Sequence, residues 1–215
     1  WGWQRYAEVN LTEIIEPILT SLSSDSGSLS MIVNFFEISP NLLNKFPDSQ
    51  ILMLAPTKPL AAQHYETFKK HLSGLEKEDF SLVTGEVPPK KRKDIWRAAT
   101  IIFSTPQCAA NDLRAGTLSL ENFSFLIEDE AHRCIKNYDY TYVVKAYREQ
   151  ASKALVLGLT ASPGSEQAKI QQICKNLGIE AVEVRTRESE DVKPYIKELK
   201  TDEIKVGFPS KFSEI

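Results

Sequence analysis

Asp129, Glu130 and His132 put two carboxylates and an imidazole into a four-residue string, Asp129-Glu130-Ala131-His132, that directly follows the apolar run 123–127. An aspartate at a strand end can hold magnesium, usually through water. A glutamate beside it can orient and deprotonate an attacking water. A histidine next to both can sense a phosphate and report it to its neighbours. In an open parallel sheet, ligands gather at the carboxyl ends of the strands, so the preceding strand carries more weight than the string itself. The plain alternative is a polar helix start at which acidic side chains are favourable.

Three further stretches sit at similar points. Thr160, Ala161 and Ser162 follow the apolar run 154–157, and hydroxyls placed there can link two neighbouring sites, or simply form a turn. Pro56, Thr57 and Lys58 follow the run 51–55 and precede a helical stretch. Helix-start amides with a threonine and a lysine suit a nucleic-acid phosphate. Thr105, Pro106 and Gln107 repeat the arrangement after residues 100–103. For both of these stretches a helix cap is the competing reading.

The elements that must position these residues alternate from residue 51 onward. Strands are expected at 51–55, 80–83, 100–103, 123–127, 154–157 and 181–184, and helices at 60–72, 88–97, 106–115, 140–150 and 165–177. Such alternation predicts an α/β fold with a mostly parallel sheet and helices on both faces. Pro88, Pro89 and Pro106 suit helix first turns, and Gly116 and Gly178 suit helix stops. Residues 1–50 fit less well. Leu11, Ile14, Ile15, Ile18, Leu19 and Leu22 have helical spacing, which Pro17 interrupts. Residues 21–30 read as a flexible serine- and glycine-rich loop, 31–38 as strand or helix, and 186–215 as a charged tail with a strand-like stretch at 203–206.

Bulk properties narrow the class. The 215 residues are 42% hydrophobic and 26% charged, ordinary for a globular chain. No run of about 18 apolar residues predicts a membrane span. The formal net charge of -3 is low for a nucleic-acid binder that works by charge alone, although a local groove would suffice. Cys108, Cys134 and Cys174 form no C-x-x-C pair and read as reduced thiols, in or near the core of an intracellular protein, rather than zinc ligands. His64 and His71 read as surface or partly buried polar residues, and 90–93 as a solvated basic helix face. Phe35, Phe36 and Phe103 read as core. The start at Trp1 reads as that of a fragment.

The four stretches occur in the order PTKPL, TPQ, DEAH, TAS, and this order resembles superfamily 2 helicases. More narrowly, residues 52–60, 129–133 and 158–165, with Val83-Thr84-Gly85-Glu86 and Asn137-Tyr138, are similar to the archaeal Hef helicase-nuclease and the Fanconi anaemia M-type translocases. The resemblance covers about residues 41–200. It implies a RecA-like, three-layer α/β/α motor domain over 41–190, with an atypical segment at 1–40 and the start of a connection to a helical insertion or second motor domain at 191–215. It implies ATP and Mg2+ as cofactors, Asp129 as the magnesium residue, and Glu130 as the activator of water. His132, Thr160 and Ser162 would couple nucleotide state to DNA grip. Thr57, Lys58 and Thr105 would contact the backbone of forked or branched DNA. The location implied is the cytoplasm in an archaeon and the nucleus in a eukaryote. Two departures stand out. Glu128 occupies a position that is usually apolar, where it either alters magnesium affinity or points to solvent. The phosphate loop G-x-x-x-x-G-K-[ST] is missing, since residues 1–50 hold only Lys45, Gly2 and Gly27 as candidates. The resemblance therefore implies a motor domain that is not competent alone, or else a degenerate fragment that binds nucleic acid weakly.

Overall fold

The computed structural model describes residues 43–180 and 182, apart from 73, 137, 153 and 161–165. The readings made for residues 1–42 and for the tail, the strand at 181–184 included, lie outside the described residues, as do Ala161 and Ser162.

Among the described residues, five strands form one sheet: β1 (Gln50–Leu54), β2 (Phe80–Val83), β3 (Ile101–Ser104), β4 (Phe123–Asp129) and β5 (Leu155–Leu159). Their order is β2-β3-β1-β4-β5, and every pair is parallel. The helices are α1 (Lys58–His71), α2 (Pro89–Ala98), α3 (Pro106–Arg114), α4 (Asp139–Gln150) and α5 (Gln167–Leu177), with 3-10 turns at Lys77–Asp79 and Ala131–Arg133. Strands buried on both faces must be apolar throughout, and Ile51, Leu52, Met53 and Leu54 are each no more than 2% exposed. One sheet face packs Leu52, Leu54, Ile102 and Leu126 against Trp96, Ala109, Val143, Tyr147 and Leu177 of α2 to α5. The other packs Ile51, Met53, Ile101, Phe103, Phe125 and Ile127 against Phe68 of α1 and Leu72. Helices thus cover both faces, as the alternation predicts.

The chain runs from β1 to the edge at β2, returns through β3, and then crosses β1 to reach β4. Strand order reverses at β1, so the crevice outside its carboxyl end is where such a sheet takes ligands. β1 and β3 are each displaced by one residue from expectation, and two strands end two residues later than expected. β4 continues two residues beyond 127, and β5 occupies 155–159 rather than 154–157. The cause is mutual pairing, because Glu128 aligns with Gly158 and Asp129 with Leu159, which extends both strands past the apolar run. Cys108 and Cys134 are buried free thiols and Cys174 is half-buried. Among the described residues, no helix is long and apolar enough to cross a membrane.

Candidate functional site

Because β1, β3, β4 and β5 run parallel, the residues that follow them leave the same sheet edge. Thr57 is the N-cap of α1 in an extended conformation, and its hydroxyl makes no capping bond. Thr105 caps α3 by accepting from the Cys108 amide at 3.4 Å. Proline in the first turn of each helix sacrifices no intrahelical hydrogen bond. Pro56, Thr57, Lys58, Thr105, Pro106 and Gln107, all selected from the sequence as phosphate contacts, line one groove of about 520 Å³. The turn Thr84-Gly85-Glu86 and the pair Tyr138-Asp139 complete its walls. Lys58 forms an ion pair with Glu86 across it.

Asp129 ends β4, and the chain then turns sharply. Glu130 has φ 54 and ψ 43, the left-handed region, which costs a non-glycine residue roughly 1–3 kcal/mol. Strain of this kind collects at functional sites, and here it falls on the residue expected to activate water. Asp129 Oδ1 accepts from the Glu130 amide at 2.9 Å, and Oδ2 lies 2.8 Å from His64 Nε2. A carboxylate can only accept, so the imidazole is the donor. His132 Nδ1 lies 3.0 Å from Thr160 Oγ1 and 3.0 Å from Glu130 Oε2, which physically joins the DEAH string to the start of the TAS string. Gly158 permits this approach. A Cβ there would stand 2.9 Å from Leu177 Cδ1 and 3.0 Å from the Cβ of Ala131, forcing the DEAH turn away from β5.

Sequence reasoning missed His64 as a member of the site. The signal was its place seven residues after Thr57, close to two helical turns of about 3.6 residues each, which returns it toward the sheet edge. Arg92 also departs from expectation. Its neighbours Lys90, Lys91 and Lys93 are exposed, but Arg92 is only 9% exposed. Its Nε and Nη2 donate to the two Asp112 oxygens, each at 2.6 Å, and Nη1 donates to the Val87 carbonyl at 2.7 Å. Trp96 Nε1 adds a bond to Asp112 at 2.8 Å. The guanidinium therefore ties the turn after β2 to α3, which form two walls of the groove.

Glu128 does not point to solvent. It is fully buried, and neither carboxyl oxygen has a hydrogen-bond partner among the described residues. Burial pushes its carboxyl well above the usual range, the Cys134 thiol beside it is too weak a donor to offset this, and that thiol is itself pushed up to about 12 by burial and by the carboxyl. Glu128→Leu should therefore stabilise the fold by about 1–3 kcal/mol at neutral pH, the cost of an unsatisfied buried polar group. A raised folded pKa means that Glu128 favours folding most below its unfolded value of about 4.3, and loses that contribution as pH rises through the folded value. Urea midpoints of the two proteins should thus converge as pH falls toward 4. A variant no more stable than the parent at pH 7 would sink the assignment.

The donor chemistry discriminates between the implied cofactors. Asp129 and Glu130 offer hard carboxylate oxygens that are 19% and 35% exposed, which suits a hydrated magnesium ion held through water beside a phosphate. Among the described residues no three His, Cys, Asp or Glu side chains gather to hold a metal unaided. None of the nine glycines is followed by lysine, so the glycine-lysine phosphate loop is not among these 215 residues.

A five-stranded parallel sheet with these motifs at its carboxyl edge defines a RecA-like helicase domain. The family model described as DEAD/DEAH box helicase matches residues 27–170, and the chain belongs to that family. It is 42% identical over 77% of its length to a Methanocaldococcus jannaschii protein named as an ATP-dependent RNA helicase, covering 21% of that relative. It is 34% identical over 77% of its length to the Fanconi anemia group M protein homolog of Mus musculus, covering 8% of it. The Hef helicase domain of Pyrococcus furiosus matches 93% of this chain at a TM-score of 0.74 and 38% identity, with 42% of that structure covered. Its relatives are thus helicases of the Hef and Fanconi anaemia M type, and the chain spans only a minor part of each. The family uses ATP and Mg2+.

Proposed function

We propose that the chain is the first motor domain of an ATP-dependent DNA helicase or translocase acting on forked or branched DNA. Residues 41–190 form the motor domain, and residues 191–215 lead toward a helical insertion or a second motor domain. The observation that carries this reading is the shared sheet edge, from which both the groove lined by two helix starts and the Asp129-Glu130-His132 cluster project. Thr57, Lys58, Thr105 and the first-turn amides of α1 and α3 hold backbone phosphates. Asp129 would hold magnesium, Glu130 would take the proton of the attacking water, and His132 would pass the state of that site to Thr160. ATP would supply the phosphoryl group. The missing glycine-lysine pair favours a second reading, in which the chain alone is a weak nucleic-acid-binding module.

Fluorescence anisotropy with labelled forked DNA, at two or more salt concentrations, tests the groove. Binding should be weak, independent of sequence and steeply salt-dependent. Lys58→Ala should lower affinity and reduce the salt slope by roughly 0.7–0.9, the value of one lost phosphate contact. Thr105→Ala should lower affinity with little change in slope. Glu86→Gln should raise affinity, because it releases Lys58 from its ion pair. Binding that persists at high salt and depends on base sequence would contradict the proposal.

A further inference from the structure

Tyr138 is an unusual residue for its position. It is the N-cap of α4, where Ser, Thr, Asp or Asn would satisfy a free amide, and it makes no side-chain capping bond. Its side chain is also one of three large hydrophobic residues that stand exposed among the described residues, at 44%. An aromatic ring that neither caps its helix nor joins the core needs another explanation.

The surroundings supply one. Tyr138 lines the groove already described, together with the helix starts at Thr57-Lys58 and Thr105-Gln107. Behind it, the ring stacks on Tyr140, with centroids 5.8 Å apart and planes inclined by 24°. Tyr140 is fully buried, and its hydroxyl donates to the Asp129 carbonyl at 2.7 Å. Tyr138 is therefore backed by a ring that is itself anchored to the end of β4. A fixed ring with exposed surface, in the same groove as phosphate-binding groups, is the arrangement that receives a base while the backbone is held alongside.

We propose that Tyr138 is a stacking platform for a nucleobase of a single strand lying in this groove, an inference that rests on reading the groove as a nucleic-acid site. Stacking tolerates any base, since each presents a π-face, so the contact adds affinity without sequence preference. It also distinguishes an unpaired strand from a duplex, whose bases are already stacked on each other.

The test compares a labelled oligothymidine with an abasic oligonucleotide of equal length and charge, binding to the chain by anisotropy. The parent should prefer oligothymidine. Tyr138→Ala should weaken oligothymidine binding by about 5- to 150-fold, the usual range for one stacked base, and weaken abasic binding by a much smaller factor, so that the preference disappears. Tyr138→Phe should keep the preference, since the ring and not the hydroxyl is used. Equal thermal midpoints for the three proteins would separate a binding effect from a folding one. If the parent binds both oligonucleotides equally, or if the alanine variant loses both equally, the stacking role is overturned while the groove reading stands. If the parent binds neither, both fall together.

Discussion

Asp112→Ala should destabilise the fold by about 3–5 kcal/mol, because it strands the buried Arg92 guanidinium without its counter-charge. Domains of this size hold only about 5–15 kcal/mol in total, so the variant should sit close to its unfolding threshold. The Asp112 side chain is only 3% exposed and takes three hydrogen bonds, two from Arg92 and one from the Trp96 indole. Its backbone carbonyl also accepts from the Thr117 and Leu118 amides, which fixes the exit of α3. Urea unfolding followed by circular dichroism gives the number, and a loss below about 1 kcal/mol would be the signature of an exposed pair instead. The joint variant Arg92→Met with Asp112→Leu should recover most of the loss, since a buried ion pair is commonly no more stabilising than apolar residues of similar volume.

The same residue predicts a pH dependence. Burial alone would raise the Asp112 carboxyl, but Arg92 and Trp96 together hold it below the usual aspartate range. A lowered folded pKa contributes stability that is present above the unfolded value, about 3.9, and is lost as pH falls through the folded value. The gap between the parent and Asp112→Asn should be flat from pH 7 to near 5 and should close below 4. Glu128 behaves oppositely in sign, because burial dominates its shift and the Cys134 thiol offsets only part of it. Comparing the two variants across pH separates a satisfied buried carboxyl from an unsatisfied one.

The sheet was readable from the sequence for a specific reason. Parallel strands buried on both faces are short, mostly apolar runs, and β1, β3 and β4 stand out as such between turn residues. The residues after those runs were readable as site candidates because parallel strands must deliver them to one edge. What stayed hidden was pairing over distance. Arg92 sits among three lysines and looks solvated until Asp112, twenty residues on, is brought against it. Glu128 looked like the end of a strand because it is charged, yet ladder pairing with β5 carries the strand through it. His64 belongs to a helix whose apolar face alone was legible, and its partner Asp129 lies 65 residues away. Tyr138 was legible as a letter of the resemblance only, since nothing in its neighbours shows that the ring is exposed.

The 215 residues alone should not hydrolyse ATP, with or without forked DNA, despite an intact DEAH string. Phosphoryl transfer needs the γ-phosphate held in line and its developing charge neutralised. In P-loop folds a glycine-rich loop and its lysine supply much of that grip, and this chain has no glycine-lysine pair anywhere. Asp129, Glu130 and His132 lie together at the end of β4, where Glu130 makes a left-handed turn. A poised base does not compensate for an unplaced phosphorus. Loss of a single oxyanion donor typically slows an enzyme by about 100- to 1,000-fold, and the loop contributes several amides besides its lysine. Turnover should therefore fall below detection, and Glu130→Gln should change nothing that can be measured. Titration calorimetry with ATP and magnesium should show no saturable heat in the micromolar range. Micromolar binding, or turnover that Glu130→Gln abolishes, would mean that residues 1–42 form a phosphate site with a sequence other than the glycine-lysine loop.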